Sequence, residues 1–74
     1  MRNAQTRAIQ RYMEAGNRIT QRIASREFDC DRLGARIWDL RNAGVPVLDE
    51  WEYKLDESGK VVKKWKTYFI GRAN

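Results

Sequence analysis

The stretch Arg32-Leu33-Gly34-Ala35-Arg36-Ile37-Trp38-Asp39-Leu40-Arg41-Asn42-Ala43-Gly44-Val45-Pro46 decides the fold. Leu33, Ile37 and Leu40 fall at i, i+4 and i+7, which on a 3.6-residue period makes one apolar stripe. Arg32, Ala35, Asp39 and Asn42 take the opposite side, Arg36 and Arg41 the flanks, and Trp38 stands well off the core side. Asp31 is placed to cap this helix, which the spacing predicts over 31–43. Gly44-Val45-Pro46 ends it, because proline has no N–H to give and clashes with the preceding turn.

Upstream, Asp29-Cys30 reads as a short turn. Ile19-Thr20 opens a second helix over 20–27, with Thr20 as N-cap and Ile23, Ala24 and Phe28 as a brief apolar stripe. A first helix is predicted over 3–15: Ala8, Ile9, Tyr12, Met13 and Ala15 recur at three- and four-residue steps, with Arg7, Arg11 and Glu14 on the other side. Gly16-Asn17 ends it. Downstream of Pro46 the period changes to 2. Residues 47–55 and 61–70 are rich in β-branched and aromatic side chains, and the turn cluster Asp56-Glu57-Ser58-Gly59-Lys60 joins them into a hairpin. Trp51 is expected opposite Trp65, where cross-strand aromatics stabilise a ribbon.

Seventy-four residues suffice for one domain, here expected over 1–74, with a core worth about 3–5 kcal/mol net. Cys30 is the only cysteine and histidine is absent, so no internal disulfide forms and the commonest zinc ligand is missing. Ser25 and Ser58 have no histidine to activate them and no glycine-rich phosphate loop exists. These absences speak against an enzyme, and no cofactor, metal or small-molecule substrate is expected. No apolar run resembles a signal peptide or a bilayer span, so no membrane contact and a cytoplasmic location in a bacterial host are expected. The net charge is +5 and unevenly distributed. Residues 1–48 carry nine Arg and no Lys against five acids, while residues 49–74 carry five Lys and one Arg against five acids. Arginine's planar fork suits phosphate and the guanine edge, so an arginine-only helical half suggests nucleic acid.

Helix, short helix, tight turn, longer helix and hairpin, with about 24 residues from Thr20 to Ala43, is the α+β layout of a three-helix winged helix-turn-helix with a C-terminal β-hairpin wing. The residues Ile19-Thr20, Ala24, Phe28 and the run Arg32 to Val47 also resemble a family of small phage and prophage helix-turn-helix proteins. The most specific part is the pattern R-L-x-A-R-I-x-D-L-R-x-x-G, followed by a hairpin whose tyrosine stands near a terminal hydrophobic residue, here Tyr68 and Ile70. The resemblance covers about residues 8–70. It implies this fold and a DNA ligand, and leaves the target and biological role open. Gly34 departs from the pattern, where alanine is more usual, and weakens the third helix.

On this layout Arg32, Arg36 and Arg41 are the first candidate contacts: Arg32 and Arg36 reach phosphates or guanine edges in the major groove, with Ala35 and Asp39 on the same face, and Arg41 is weighed beside them. The competing reading makes them solvated charges, with Arg36 or Arg41 paired to Asp39 or Glu27. Arg18 and Arg22 flank the start of helix two, where Thr20 can both cap the helix and meet a phosphate. Lys60, Lys63 and Lys64 on the hairpin, with Lys66 beside them, either follow the DNA backbone or guard an exposed strand edge. Trp38 packs on the wing, stacks between copies or meets a partner. Double-stranded DNA is thus the leading partner, with a homodimer weighed beside it, in a transcriptional regulator or excisionase-like factor. The rival reading is a phage-encoded inhibitor of a host protein, a defence nuclease or a polymerase subunit, using the tryptophans and the acidic side of the hairpin. A third is single-strand or RNA binding through the hairpin aromatics.

Overall fold

The computed structural model describes residues 4–71. In chain order these form α1 (Ala4–Glu14), β1 (Ile19–Thr20), α2 (Gln21–Phe28), α3 (Leu33–Asn42), β2 (Val47–Leu55) and β3 (Val61–Ile70). The predicted start of the first helix, Asn3, lies outside the described residues, and Ala15 falls past its end and is exposed. The described residues make an α+β fold, with the helices against an antiparallel sheet of order β1-β3-β2.

One strand of that sheet was not expected. Ile19 and Thr20 pair with Tyr68 and Thr67 of β3, a run too short to display an alternation. Thr20 then leaves the sheet and caps α2, its Oγ1 accepting the Ile23 N–H at 3.2 Å. The core gathers Ile9 and Met13 of α1, Ile19, Ala24, Val47 and the α3 stripe Leu33, Ile37 and Leu40, all buried. Cys30 is buried in the turn between α2 and α3. Tyr12 and Phe28 meet edge to face, with ring centroids 5.3 Å apart, and close one side.

The α2–α3 turn is held from three sides. Asp29 adopts a left-handed conformation, φ 52°, and the Cys30 N–H donates to Ala24 O at 3.0 Å. Gln5 reaches from α1 and donates to the carbonyls of Phe28 and Asp29 at 3.1 and 3.0 Å. Gln21 bridges the two helices: its Nε2 donates to Cys30 O at 2.7 Å and its Oε1 accepts the Leu33 N–H at 2.8 Å. The expected cap at Asp31 is therefore corrected. The N-cap position belongs to Arg32, which makes no side-chain capping bond, and Gln21 of α2 satisfies the first turn instead. At the other end, Gly44 (φ 89°) completes a Schellman closure. Val45 N–H reaches Leu40 O at 3.0 Å and Gly44 N–H reaches Arg41 O at 3.1 Å.

The hairpin turn is organised by Asp56, whose Oδ1 accepts the N–H groups of Ser58 and Lys60, both at 2.9 Å, and the Ser58 hydroxyl at 2.7 Å. Gly59, at φ 86°, supplies the positive dihedral. Leu55 pairs with Val61, but an irregularity between Lys54 and Leu55 shifts every later pair by one residue. Without that shift Trp51 would face Trp65. With it Trp51 faces Lys66 and Trp65 faces Glu52, so the two indoles stand on opposite faces of the sheet. Neither tryptophan completes the core: Trp51 is 49% exposed and Trp65 is half-buried.

Glu52 anchors the second face. Its carboxylate accepts the Trp65 indole N–H at 3.1 Å and the hydroxyl of buried Thr67. The Thr67 bond, opposed by desolvation and aided by Trp65, holds its carboxyl below the ordinary 4.5. The Ser58 hydroxyl and the Lys60 N–H likewise lower Asp56 from 3.8. A carboxyl whose folded pKa is depressed stabilises the fold above its unfolded pKa and loses that contribution as pH falls through the folded value. The melting temperature should therefore stay level from neutrality to about pH 5 and decline below it. Glu52→Gln should make that acid-side decline shallower in a pH series of thermal melts; an unchanged slope would show that the Glu52 bonds do not carry it.

Candidate nucleic-acid interface

Burial of Leu33, Ile37 and Leu40 turns the other side of α3 outward. Arg32 is exposed at its start, Ala35, Arg36 and Asp39 are half-buried along it, and Trp38 is 67% exposed. Packing of Trp38 on the wing is thereby set aside. Arg36 Nη2 lies 3.4 Å from Asp39 Oδ2 one turn on. Such an i,i+3 pair near solvent contributes only about 0.2–0.5 kcal/mol, so a phosphate can replace the carboxylate at little cost.

Arg41 is committed elsewhere. Its Nε donates to Val47 O at 3.1 Å and its Nη2 to Asp49 Oδ2 at 2.8 Å, tying the end of α3 to the root of β2. That hydrogen bond is the main reason the Asp49 carboxyl lies below its ordinary value. The pairing expected for Arg41 with Asp39 or Glu27 is thus replaced by one across the α3–β2 junction. Arg18 is similarly engaged, paired with Glu50 and with its guanidinium 4.4 Å above the Phe69 ring.

Three of the remaining expected residues meet in one groove. Thr20, Arg22 and Lys63 line a cavity of about 600 Å³ between the start of α2, the start of α3 at Gly34, and β3. The Thr20 hydroxyl there also serves as the cap of α2. Arg26 and Lys66 join the groove, and all its charged lining residues are basic. Lys64 lies apart, its ammonium 5.0 Å from the centre of the Trp51 ring. Lys60 belongs to the turn, where its backbone N–H bonds Asp56. Sequence reasoning passed over Arg26, although it stands four residues after Arg22 and so on the same side of α2. It also passed over Gln21, whose role depends on a turn that no periodicity describes.

Two helices joined by a clamped turn, the second presenting a polar arginine face beside a β-hairpin, define a helix-turn-helix with a wing, an architecture that enters duplex DNA with its second helix. The chain belongs to the winged helix-turn-helix domain family, whose model matches residues 4–73. No match was found among curated proteins or among solved structures. Among the described residues no helix is long and apolar enough to cross a membrane.

Proposed function

We propose that this protein binds double-stranded DNA, with α3 in the major groove and the hairpin along the flanking backbone, as a phage or prophage transcriptional regulator or excisionase-like factor of the bacterial cytoplasm. The observation that carries this reading is the outward face of α3, where Arg32 is exposed and half-buried Arg36 is held by its pair with Asp39, beside the basic groove at the helix's N-terminal end. Arg32 and Arg36 serve as base or phosphate contacts, Ala35 offers a methyl surface to thymine, and Asp39 holds Arg36 until phosphate replaces it. Arg22, Lys63 and the Thr20 hydroxyl supply backbone contacts, while Arg18, Lys60 and Lys64 add positive field rather than first contacts.

The rival reading as an inhibitor of a host protein drew on the acidic side of the hairpin. Those acids are engaged internally: Asp49 with Arg41, Glu50 with Arg18, and Glu52 with Trp65 and Thr67. This favours DNA. The test is a fluorescence-anisotropy titration against random duplex at 50 and 200 mM salt. A protein neutralising about 6–10 phosphates loses about 10³–10⁵ in affinity over that interval. A footprint of fewer contacts gives a proportionately smaller loss. No binding at the lower salt would remove the DNA reading.

A further inference from the structure

The ten-residue strand β3 is bordered on one side by β2 along most of its length, but on the other by only the two residues of β1. β1 covers Tyr68 and Thr67, after which the chain turns away into α2. Residues 61–66 therefore present an open edge, roughly 20 Å long at strand rise, whose outward N–H and C=O groups have no strand among the described residues to pair with.

That edge borders the basic groove. Ile23, Leu33 and Tyr68 give the groove apolar surface, and Trp65, on the opposite face of β3 from Tyr68, lines it at the strand edge. Arg22 and Lys63 supply its charge, joined by Arg26, which is paired with Glu27 at 3.2 Å, and by Lys66, whose ammonium lies 5.1 Å from the centre of the Trp51 ring; among the described residues no acid lines the groove itself. The wall at the start of α3 is low: a Cβ added at Gly34 would meet nothing within 4 Å. A volume of about 600 Å³ lies within the usual range for a ligand site.

Charge then selects the occupant. A second copy presenting the same β3 edge would bring lysine against lysine, so like-with-like pairing is opposed. An acidic strand meets the opposite situation. It can extend the line of β1 along β3, pair with the open backbone groups, place alternate apolar side chains in the groove and meet the basic rim with its carboxylates. We propose that this edge is a docking site for an extended acidic peptide segment of a partner protein, added to the sheet on the β1 side. This site stands independently of the DNA reading; only its consequence for DNA rests on that reading, because Arg22 and Lys63 serve both ligands and the peptide would displace the duplex.

The test uses the whole chain and a fluorescein-labelled eight-residue peptide alternating glutamate and valine. Its controls are a lysine–valine peptide and the acidic peptide with alternate backbone nitrogens methylated. The acidic peptide should bind saturably at low salt and slow hydrogen exchange in the amides of residues 61–66. Methylation should weaken binding about tenfold or more, since it removes ladder hydrogen bonds. Lys63→Glu should weaken it comparably, and Gly34→Phe should obstruct the groove from its open wall; both variants must melt like the parent. Equal binding of the methylated peptide, or none of the acidic one, would overturn the proposal. Peptide binding without duplex binding would sink the DNA reading alone. Duplex binding that Lys63→Glu weakens, with no peptide binding, would make the groove a phosphate channel and sink this proposal alone.

Discussion

Replacing Arg32 and Arg36 together with alanine is expected to weaken duplex binding about tenfold or more while moving the melting temperature by no more than about 3 °C. Each arginine that contacts a base or phosphate contributes about 1–3 kcal/mol of binding, and 1.4 kcal/mol is tenfold. Neither supports the fold strongly. Arg32 is exposed and makes no capping bond, and Arg36 has one pair of modest worth near solvent. Anisotropy titration and a thermal melt of the same preparation read the two effects separately. Unchanged affinity in a folded double variant would remove α3 from the interface, even if the protein binds DNA by another surface.

Gln21→Ala should be the most damaging exchange of an exposed polar residue. The glutamine satisfies the Leu33 N–H at the start of α3 and donates to Cys30 O across the turn. Removing it leaves an orphan donor at a half-buried helix start and loosens the turn that sets the angle between α2 and α3. Unpaired groups of this kind cost about 1–3 kcal/mol, or roughly 5–20 °C of melting temperature in a domain this small. Asp31→Ala, the residue that sequence alone nominates as the cap, should change stability by less than about 0.5 kcal/mol. Equal effects of the two substitutions would show that Gln21 does not bear the turn. Gln21→Glu keeps the acceptor for Leu33 and loses the donor for Cys30, and should fall between.

The contrast between Gln21 and Asp31 shows where the sequence is legible. Period and punctuation act locally, so the stripe Leu33, Ile37 and Leu40 and the Thr20 cap could be read from the chain and are present in the structure. Features that depend on meetings at a distance could not. Gln21 and Leu33 are twelve residues apart. β1 has only two residues and exists because β3 is there to receive it. The tryptophan register depended on one irregularity near Leu55, a single residue that no composition announces. At the candidate interface, the outward arginines of α3 follow from helical geometry alone. The separation of Arg22 and Lys63, which share the groove, from Arg18 and Lys64, which turn to partners, required knowing which strands lie side by side.

The bonds of Arg41 to Val47 and Asp49 join the end of α3 to the base of the hairpin. They brace the wing against the helix, like a stop on the arm of a calliper. In the proposed DNA complex a braced calliper resists opening, so part of the fit falls to the duplex, which bends or narrows to meet it. Selection among sites would then fall partly on base steps that touch no side chain, according to how readily each one deforms.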